Sequence, residues 1–167
     1  MNEKEGLDFL KENNALVFQV IHGTYGEDGT LIKLLEENNI SYIGSSEEVM
    51  RLTINKFETE QLLTKNNIVA PKSFEITSME EVDSISVSFP VIVKPRDEGS
   101  SVSLFKVYSE IELRSVLEKS LKEYTHMLMQ EYIQGREFTC GVVEIDGILT
   151  SLTPTEIILT KGDMFDY

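Results

Sequence analysis

Lys-Pro-Arg-Asp-Glu-Gly-Ser-Ser-Val-Ser, residues 94–103, is the most informative stretch of the sequence. It follows a predicted strand at residues 89–94 and precedes another at residues 104–107, so it joins two strands. A P-loop is therefore excluded, because that motif needs a helix after its glycines. The small residues can still turn backbone N–H groups and hydroxyls toward phosphate oxygens, and Lys94 can add an ammonium. The alternative is an ordinary hairpin loop with a solvated lysine.

A second glycine-bearing loop, residues 22–29, follows an almost continuous apolar run at residues 15–21. Such a run is typical of a parallel strand covered on both faces. The preceding residues supply too few neighbours for it, so we expect a sheet cut off at its N-terminal side. Open α/β sheets bind ligands where their strands end, which makes His22 and Glu27 candidates for positioning a charged substrate. The alternative is a plain turn in which Asp28 caps the next helix.

Two further segments contain candidate functional residues, although neither segment indicates a function by itself. Residues 130–137, Gln-Glu-Tyr-Ile-Gln-Gly-Arg-Glu, link two predicted strands through a glycine. Such a linker can offer backbone groups to an adenine edge and a carboxylate to a ribose, but a surface connector is the commoner case. Lys56 begins a predicted helix, where a lysine is usually solvated. Capping-box spacings predict helix starts at Ser45, Ser78 and Ser109.

Composition narrows the classes of function. The chain has 29 acidic and 15 basic residues and a formal net charge of −14. This balance argues against nucleic-acid and anionic-membrane partners, because both need clustered Lys and Arg. A single cysteine, Cys140, cannot form an internal disulfide, which favours a reduced, cytoplasmic setting. No run could span a bilayer or serve as a signal peptide. Two histidines and one cysteine do not indicate a His/Cys metal site.

Taken in order, these segments resemble the D-alanine–D-alanine ligase family of ATP-grasp enzymes. The matching stretches are residues 22–29, 42–45 with Lys56 beyond, 90–95, 98–102, 130–137, 155–157 and 165–167. The resemblance runs from about residue 15 to the end of the chain. It implies an α/β ATP-grasp fold in three parts. Residues 1–44 are a partial Rossmann-like sheet, residues 45–133 a central α+β domain, and residues 134–167 the start of the C-terminal ATP-grasp domain.

The resemblance also implies two sets of site residues. The ATP-binding set comprises Lys56, Lys94, Ser100, Ser101, Gln130, Glu131, Ile133 and Glu137. The catalytic set, near the amino acid and the acyl phosphate, comprises Ser100, Glu27 and His22. Within the first set, the two lysines contact phosphates and the two serines belong to a loop that closes over them. Gln130, Glu131 and Ile133 frame the adenine, partly through backbone groups, and Glu137 holds the ribose.

The implied reaction is phosphorylation of one D-alanine carboxylate by ATP, followed by attack of a second D-alanine's amine. Loss of phosphate then gives the dipeptide used in peptidoglycan. The family uses Mg²⁺ (or Mn²⁺), but its metal ligands have no counterpart here, so no residue is predicted as a metal ligand. We therefore expect the 167-residue chain alone to lack ligase activity. A homodimer is possible for the full-length enzyme.

Departures from the family pattern leave the substrates open. Gln130 stands where the family usually has glutamate, and Ser103 stands where it usually has glycine. One alternative is a sister ligase that joins D-alanine to D-lactate or D-serine, or another carboxylate–amine ligase. Another alternative, of a different class, is a non-catalytic nucleotide-binding remnant.

Overall fold

The structure, a computed structural model, describes residues 2–99 and 101–159. The chain divides into two compact units, Met1–Tyr132 and Ile133–Tyr167. No helix in the described ranges is long and apolar enough to cross a membrane. The division into three domains, with boundaries after residues 44 and 133, stays a prediction.

The first unit contains both helices and strands, whereas strands make up the regular structure described in the second. The helices are α1 (Glu3–Glu12), α2 (Thr30–Glu37), α3 (Glu47–Ile54), α4 (Lys56–Lys65), α5 (Met79–Val82) and α6 (Glu110–Ser120). The strands of the first unit are β1 (Leu16–Phe18), β2 (Ser41–Ile43), β3 (Ser73–Ile76), β4 (Val91–Pro95), β5 (Phe105–Val107) and β6 (Met127–Glu131). Those of the second unit are β7 (Glu137–Thr139), β8 (Val142–Ile145), β9 (Ile148–Ser151) and β10 (Thr155–Ile157).

The N-terminal sheet consists of β1 and β2, paired in parallel as the sequence predicts. Val17 packs against a small core formed by Ile32 and Leu35 of α2. The expected cover on both faces of β1 was wrong, because Leu16 is 61% exposed and Phe18 is 70% exposed. In the described residues β1 pairs only with β2, so its apolar side chains are buried on one side alone.

The central sheet has the strand order β3-β6-β4-β5, with every neighbouring pair antiparallel. Side chains alternate between its two faces. The apolar face packs against α5 and α6 and buries Ile76, Val91, Val93, Val107, Leu113, Leu117, Met127 and Met129. By the same alternation and the strand register, the opposite face carries Ser73, Glu75, Ile92, Lys94, Lys106, Leu128 and Gln130. Of the polar side chains on this second face, Lys94 and Gln130 belong to the candidate site.

Helix α4 supplies two further side chains of that site, those of Lys56 and Glu60, and its start is well defined. Asn55 precedes the helix, and its side-chain oxygen accepts from the backbone N–H of Glu58 at 3.1 Å. Lys56 is therefore the first residue of α4. The helix predicted to open at residues 45–48 is present as α3, but the capping box itself was wrong, because the N-cap is Ser46 and its side chain makes no capping hydrogen bond.

The sequence predicts strands at residues 137–145 and 148–158 across a turn at Asp146-Gly147. The second unit contains this hairpin, in which β8 and β9 meet at that turn. The long strands predicted on each side of that turn are both interrupted. Leu152 still donates its N–H to the carbonyl of Gly141 at 2.8 Å. Pro154 has no N–H to donate, so the pairing breaks before β10 resumes it with β7.

Candidate functional site

Lys94 and Gln130 lie together on the polar face of the central sheet. Lys94 pairs in register with Leu128 on β6, and Gln130 projects from the same strand two residues later, on the same face. The Nζ of Lys94 donates to the Oε1 of Gln130 at 3.0 Å. The Gln130 side chain belongs to a residue that is only 8% exposed, so this contact is largely shielded from water. The structure thus brings together two residues that the sequence assigned to one site.

Glu60 completes this cluster, although sequence reasoning missed it. Its Oε1 accepts a hydrogen bond from the Nε2 of Gln130, and its Oε2 is buried with no partner in the described part of the chain. Burial raises the pKa of Glu60, whereas the nearby ammonium of Lys94 opposes that shift. The available signal was spacing, because residue 60 lies four positions after Lys56 on the same face of α4.

Lys56 anchors the start of α4 to the strand-joining loop. Its Nζ donates to the backbone carbonyls of Arg96, at 3.2 Å, and of Glu98. Its backbone N–H also donates to the Arg96 carbonyl at 3.2 Å. Lys56 is therefore not a solvated helix-start lysine. It ties the loop to the helix.

The two lysines lie near enough to repel each other. Burial lowers the pKa of Lys56, and the charge of Lys94 lowers it further, while nearby carboxylates, including that of Glu27, oppose the shift. Burial also lowers the pKa of Lys94, with Glu60 opposing it. The pKa values of both lysines are lowered overall. The nearby carboxylates therefore do not fully compensate the free-energy cost of burying two ammonium groups close together. A bound anion would relieve that cost, because an opposite charge favours the protonated form.

A cleft of about 490 Å³ lies beside Lys56 and also receives Glu27. Glu98 and Gly99 of the strand-joining loop line the same cleft. A Cβ at Gly99 would lie 2.8 Å from the Oε2 of Glu27, so the end of the Glu27 side chain would have to shift to make room for one. Glu27 and the strand-joining loop thus lie close together in one site.

His22 does not line that cleft. Its Nδ1 lies 3.4 Å from the Oε1 of Glu27, and its side chain is 79% exposed. Glu27 has a firmer anchor, since its Oε2 accepts from the backbone N–H of Gly23 at 2.6 Å. Asp28 holds the same loop by accepting from the N–H groups of Tyr25 and Thr30. The interpretation of Asp28 as the helix cap was wrong, because the N-cap of α2 is Gly29 and no side chain makes a capping bond there. Asp28 instead accepts from the N–H of the first residue of the helix, Thr30, which is compatible with a separate role for Glu27.

The strand-joining loop contains two serines with left-handed backbone conformations. Ser101 has φ +56° and Ser103 has φ +51°. Glycine adopts this region without steric cost, which gives a physical reason for the glycine usual in the family at position 103. Here the Oγ of Ser103 lies 2.9 Å from the phenol oxygen of Tyr124, a hydrogen bond that glycine could not make. Ser100 lies outside the described residues, as does the matching stretch at residues 165–167.

The remaining predicted residues lie at the end of β6 and beyond. The Oε1 of Glu131 accepts from the N–H of Lys72 at 2.9 Å, so this carboxylate caps the edge of β3. Ile133 and Glu137 are exposed residues of the second unit, where Glu137 pairs in register with Ile157. Across residues 2–99 and 101–159, no three His, Cys, Asp or Glu side chains are grouped to hold a metal ion.

Comparison with known proteins identifies relatives over almost the whole chain. The family model for the D-ala D-ala ligase C-terminus matches residues 50–167. A D-alanine–D-alanine ligase from Petrotoga mobilis is 38% identical over 162 residues, which is 96% of this chain and 53% of the relative. The chain thus spans about half the length of the curated relatives it matches.

Two solved structures show the same fold. The D-alanine–D-alanine ligase from Bacillus anthracis complexed with ATP is 30% identical, with a TM-score of 0.77, over 97% of this chain and 54% of that one. The VanG D-Ala:D-Ser ligase from Enterococcus faecalis is 33% identical, with a TM-score of 0.79, over 91% of this chain and 45% of that one. The fold is therefore ATP-grasp, and the chain belongs to the D-alanine–D-alanine ligase family.

Proposed function

We propose that this chain forms part of an ATP-dependent carboxylate–amine ligase that joins two D-alanine molecules. The observation that carries the proposal is the pair of mutually repelling, partly buried lysines, Lys56 and Lys94. Two such cations suit a polyphosphate, and the related ligase from Bacillus anthracis was solved with ATP. The negative net charge of the chain repels an anionic nucleotide overall, so local cations are needed to bind it.

In the proposed reaction, the γ-phosphoryl group of ATP moves to a carboxylate oxygen of one D-alanine, giving an acyl phosphate and ADP. The amine of a second D-alanine attacks the acyl carbon, and the tetrahedral intermediate expels inorganic phosphate as the peptide bond forms. Lys56 and Lys94 would offset charge on the phosphates during the first step. Gln130 would accept from the adenine amine, and Glu27 would face the amino-acid end of the cleft.

The other assignments rest on the family pattern alone. The closing-loop role of Ser100 and Ser101, the adenine contacts of Glu131 and Ile133, the ribose contact of Glu137 and the catalytic role of His22 stay predictions. A cytoplasmic setting, a homodimer and the absence of nucleic-acid and membrane partners likewise stay predictions.

Magnesium accompanies ATP in the reaction that the family resemblance implies. The described residues offer no cluster of carboxylates or histidines that fits such an ion. The contribution we propose for them is therefore limited to binding and orienting the nucleotide and the amino acid, through Lys56, Lys94, Gln130 and Glu27.

Titration of the purified chain with ATP by isothermal calorimetry tests this proposal. Replacing Lys94 by alanine removes one ammonium and leaves Gln130 without its donor. We expect this variant to bind ATP about 10- to 100-fold more weakly, as for the loss of a charge-assisted hydrogen bond. Lys119→Ala is the matched control, because Lys119 lies exposed on α6. Equal affinities for Lys94→Ala and Lys119→Ala, or no binding by the unmodified chain, would contradict the proposed nucleotide site.

A second candidate is a ligase that takes D-serine as the second substrate. The observation in its favour is the VanG D-Ala:D-Ser ligase, which matches with a TM-score of 0.79. An assay of the protein that carries this chain distinguishes the two candidate ligases. The protein is given ATP with D-alanine and D-serine at equal concentrations, and the dipeptide products are identified by mass spectrometry. A predominant D-alanine–D-alanine product supports the first candidate, and a predominant mixed dipeptide supports the second.

A further inference from the structure

We propose that Glu60 locks the side-chain amide of Gln130 in one orientation and thereby makes the site select 6-aminopurine over 6-oxopurine nucleotides. Glu60 would be a positioning residue that acts on the base through Gln130. The inference rests on the proposed function, in which Gln130 faces the nucleobase. It adds a residue that neither the sequence motifs nor the family pattern indicates.

The orientation of the Gln130 amide follows from the chemistry of its two neighbours. A lysine ammonium can only donate hydrogen bonds, and an ionised carboxylate can only accept them. The amide oxygen must therefore face Lys94, and the amide nitrogen must face Glu60, as the two hydrogen bonds show. The flipped amide would set N–H groups against the ammonium and oxygen against the carboxylate. Both neighbours thus select the same orientation.

Burial makes this selection strong. Gln130 is 8% exposed, and Lys94 and Glu60 are both partly buried. Hydrogen bonds shielded from water are stronger, and mismatched polar contacts there are correspondingly costly. Water cannot readily replace either partner if the amide turns over.

The unsatisfied oxygen of Glu60 argues against a purely structural role. One carboxylate oxygen holds Gln130, and the other is buried without a partner in the described part of the chain. A carboxylate present only to stabilise the fold would be expected to have both oxygens satisfied, because an unpaired buried acceptor is costly. The one hydrogen bond that the described residues give this carboxylate is the bond from Gln130 to the other oxygen.

The consequence for the nucleotide concerns the remaining lone pair of the amide oxygen. Oxygen acceptors of this kind have two lone pairs, and Lys94 occupies one. The other can accept from the 6-amino group of adenine. The 6-oxo group of guanine or hypoxanthine is itself an acceptor, so it would face the Gln130 oxygen without a proton between them. The glutamate usual in the family at position 130 can only accept hydrogen bonds from the base. A glutamine at this position acts only as an acceptor toward the base if its amide cannot flip.

Nucleotide selectivity tests the inference directly. Affinities for ATP and GTP are measured by calorimetry for the unmodified chain, for Glu60→Gln and for Glu58→Gln. Glu58 is the matched control, since it lies exposed on the same helix. Replacing Glu60 by glutamine keeps the shape but gives a group that donates as well as accepts, so only Lys94 still opposes the flipped orientation of the Gln130 amide and that orientation becomes less costly. We expect the unmodified chain to prefer ATP by about tenfold or more. We expect Glu60→Gln to lower the ATP/GTP ratio about three- to tenfold, chiefly through tighter GTP binding.

A second readout needs no nucleotide. The side-chain NH₂ signals of Gln130, assigned by their loss in Gln130→Ala, should shift in the ¹⁵N–¹H spectrum of Glu60→Gln and stay in place in Glu58→Gln. Unmoved signals, or an unchanged ATP/GTP ratio in a Glu60→Gln variant that binds ATP, would overturn the inference. Failure of the unmodified chain to bind either nucleotide is a different result, which contradicts the proposed function and the selectivity with it.

Discussion

The central sheet and the N-terminal sheet both contain apolar strands, but they bury them to very different extents. Val93, Met127 and Leu117 are fully buried between the central sheet and its helices. In β1, Leu16 and Phe18 remain mostly exposed, although the run that contains them, residues 15–21, is almost continuously apolar. Burial therefore depends on how many neighbours a strand has as well as on its own residues.

This difference bears on the candidate site, because its residues come from both regions. Lys94 and Gln130 project from strands whose opposite face packs against α5 and α6. Glu27 and His22 belong to a loop that follows the sparsely covered β1. We expect the lysine–amide cluster to keep its geometry under conditions that disturb the His22 loop, because its supporting strands are held by a larger core.

The largest expected effect comes from opening the core behind the cluster. Leu117→Ala should lower the free energy of unfolding by about 2–5 kcal/mol, because it leaves a cavity in a fully buried position. Phe18→Ala removes more atoms, yet it should cost less than about 1 kcal/mol, since most of that side chain already faces solvent. Urea unfolding followed by circular dichroism measures both. Equal losses would break the contrast between the two sheets.

A smaller effect is expected from adding a charge within the cluster. Gln130→Glu places a second carboxylate beside Glu60, and Lys94 can neutralise only one of them. The pair should take up a proton on folding, so its pKa is raised and stability falls as pH rises. We expect a loss of about 1–2 kcal/mol at pH 8 that shrinks at pH 5. The exchanged variant, Glu60→Gln with Gln130→Glu, keeps the original charge and should recover that stability. A pH-independent loss would show that charge is not its cause.

The smallest effect concerns a single proton in the N-terminal sheet. Tyr42 donates its phenol hydrogen to the Oε1 of Glu36 at 2.6 Å, and this bond, with burial, raises the pKa of Tyr42 to about 12. The folded state favours the neutral phenol, so this stabilisation is present below the ordinary pKa near 10 and is lost as pH rises through about 12. At pH 11, the ¹³Cζ resonance of Tyr42 should still report a neutral ring. Glu36→Gln should move its midpoint back toward 10. An unchanged titration midpoint of Tyr42 in Glu36→Gln would show that Glu36 does not cause the raised pKa.

Local signals in the sequence predicted many elements well. The apolar segments at β4 and β6 were located, and the capping box of Ser78 with Glu81 is present at α5. The hairpin turn at Asp146–Gly147 was also correct. Such features depend on residues within a few positions of each other, which a sequence displays directly.

Features that depend on distant residues were not predictable in the same way. The contact between Glu60 and Gln130 joins positions 70 residues apart, and it depends on how α4 packs across the sheet. The exposure of β1 depends on neighbours that its own residues do not specify. Lys56 was correctly placed at a helix start, but its bonds to the loop carbonyls follow from the fold and not from its local sequence.

The contact between Lys56 and the loop limits how an anion can be received. An ammonium has three N–H bonds, and two of those of Lys56 point at the carbonyls of Arg96 and Glu98. One N–H remains for an incoming oxygen, so an anion that takes two must displace a carbonyl. Displacing that carbonyl would remove one of the bonds that hold residues 96–98 to α4 and would allow this part of the loop to move. The binding of a phosphate at Lys56 would thereby be coupled to a change in the position of the loop.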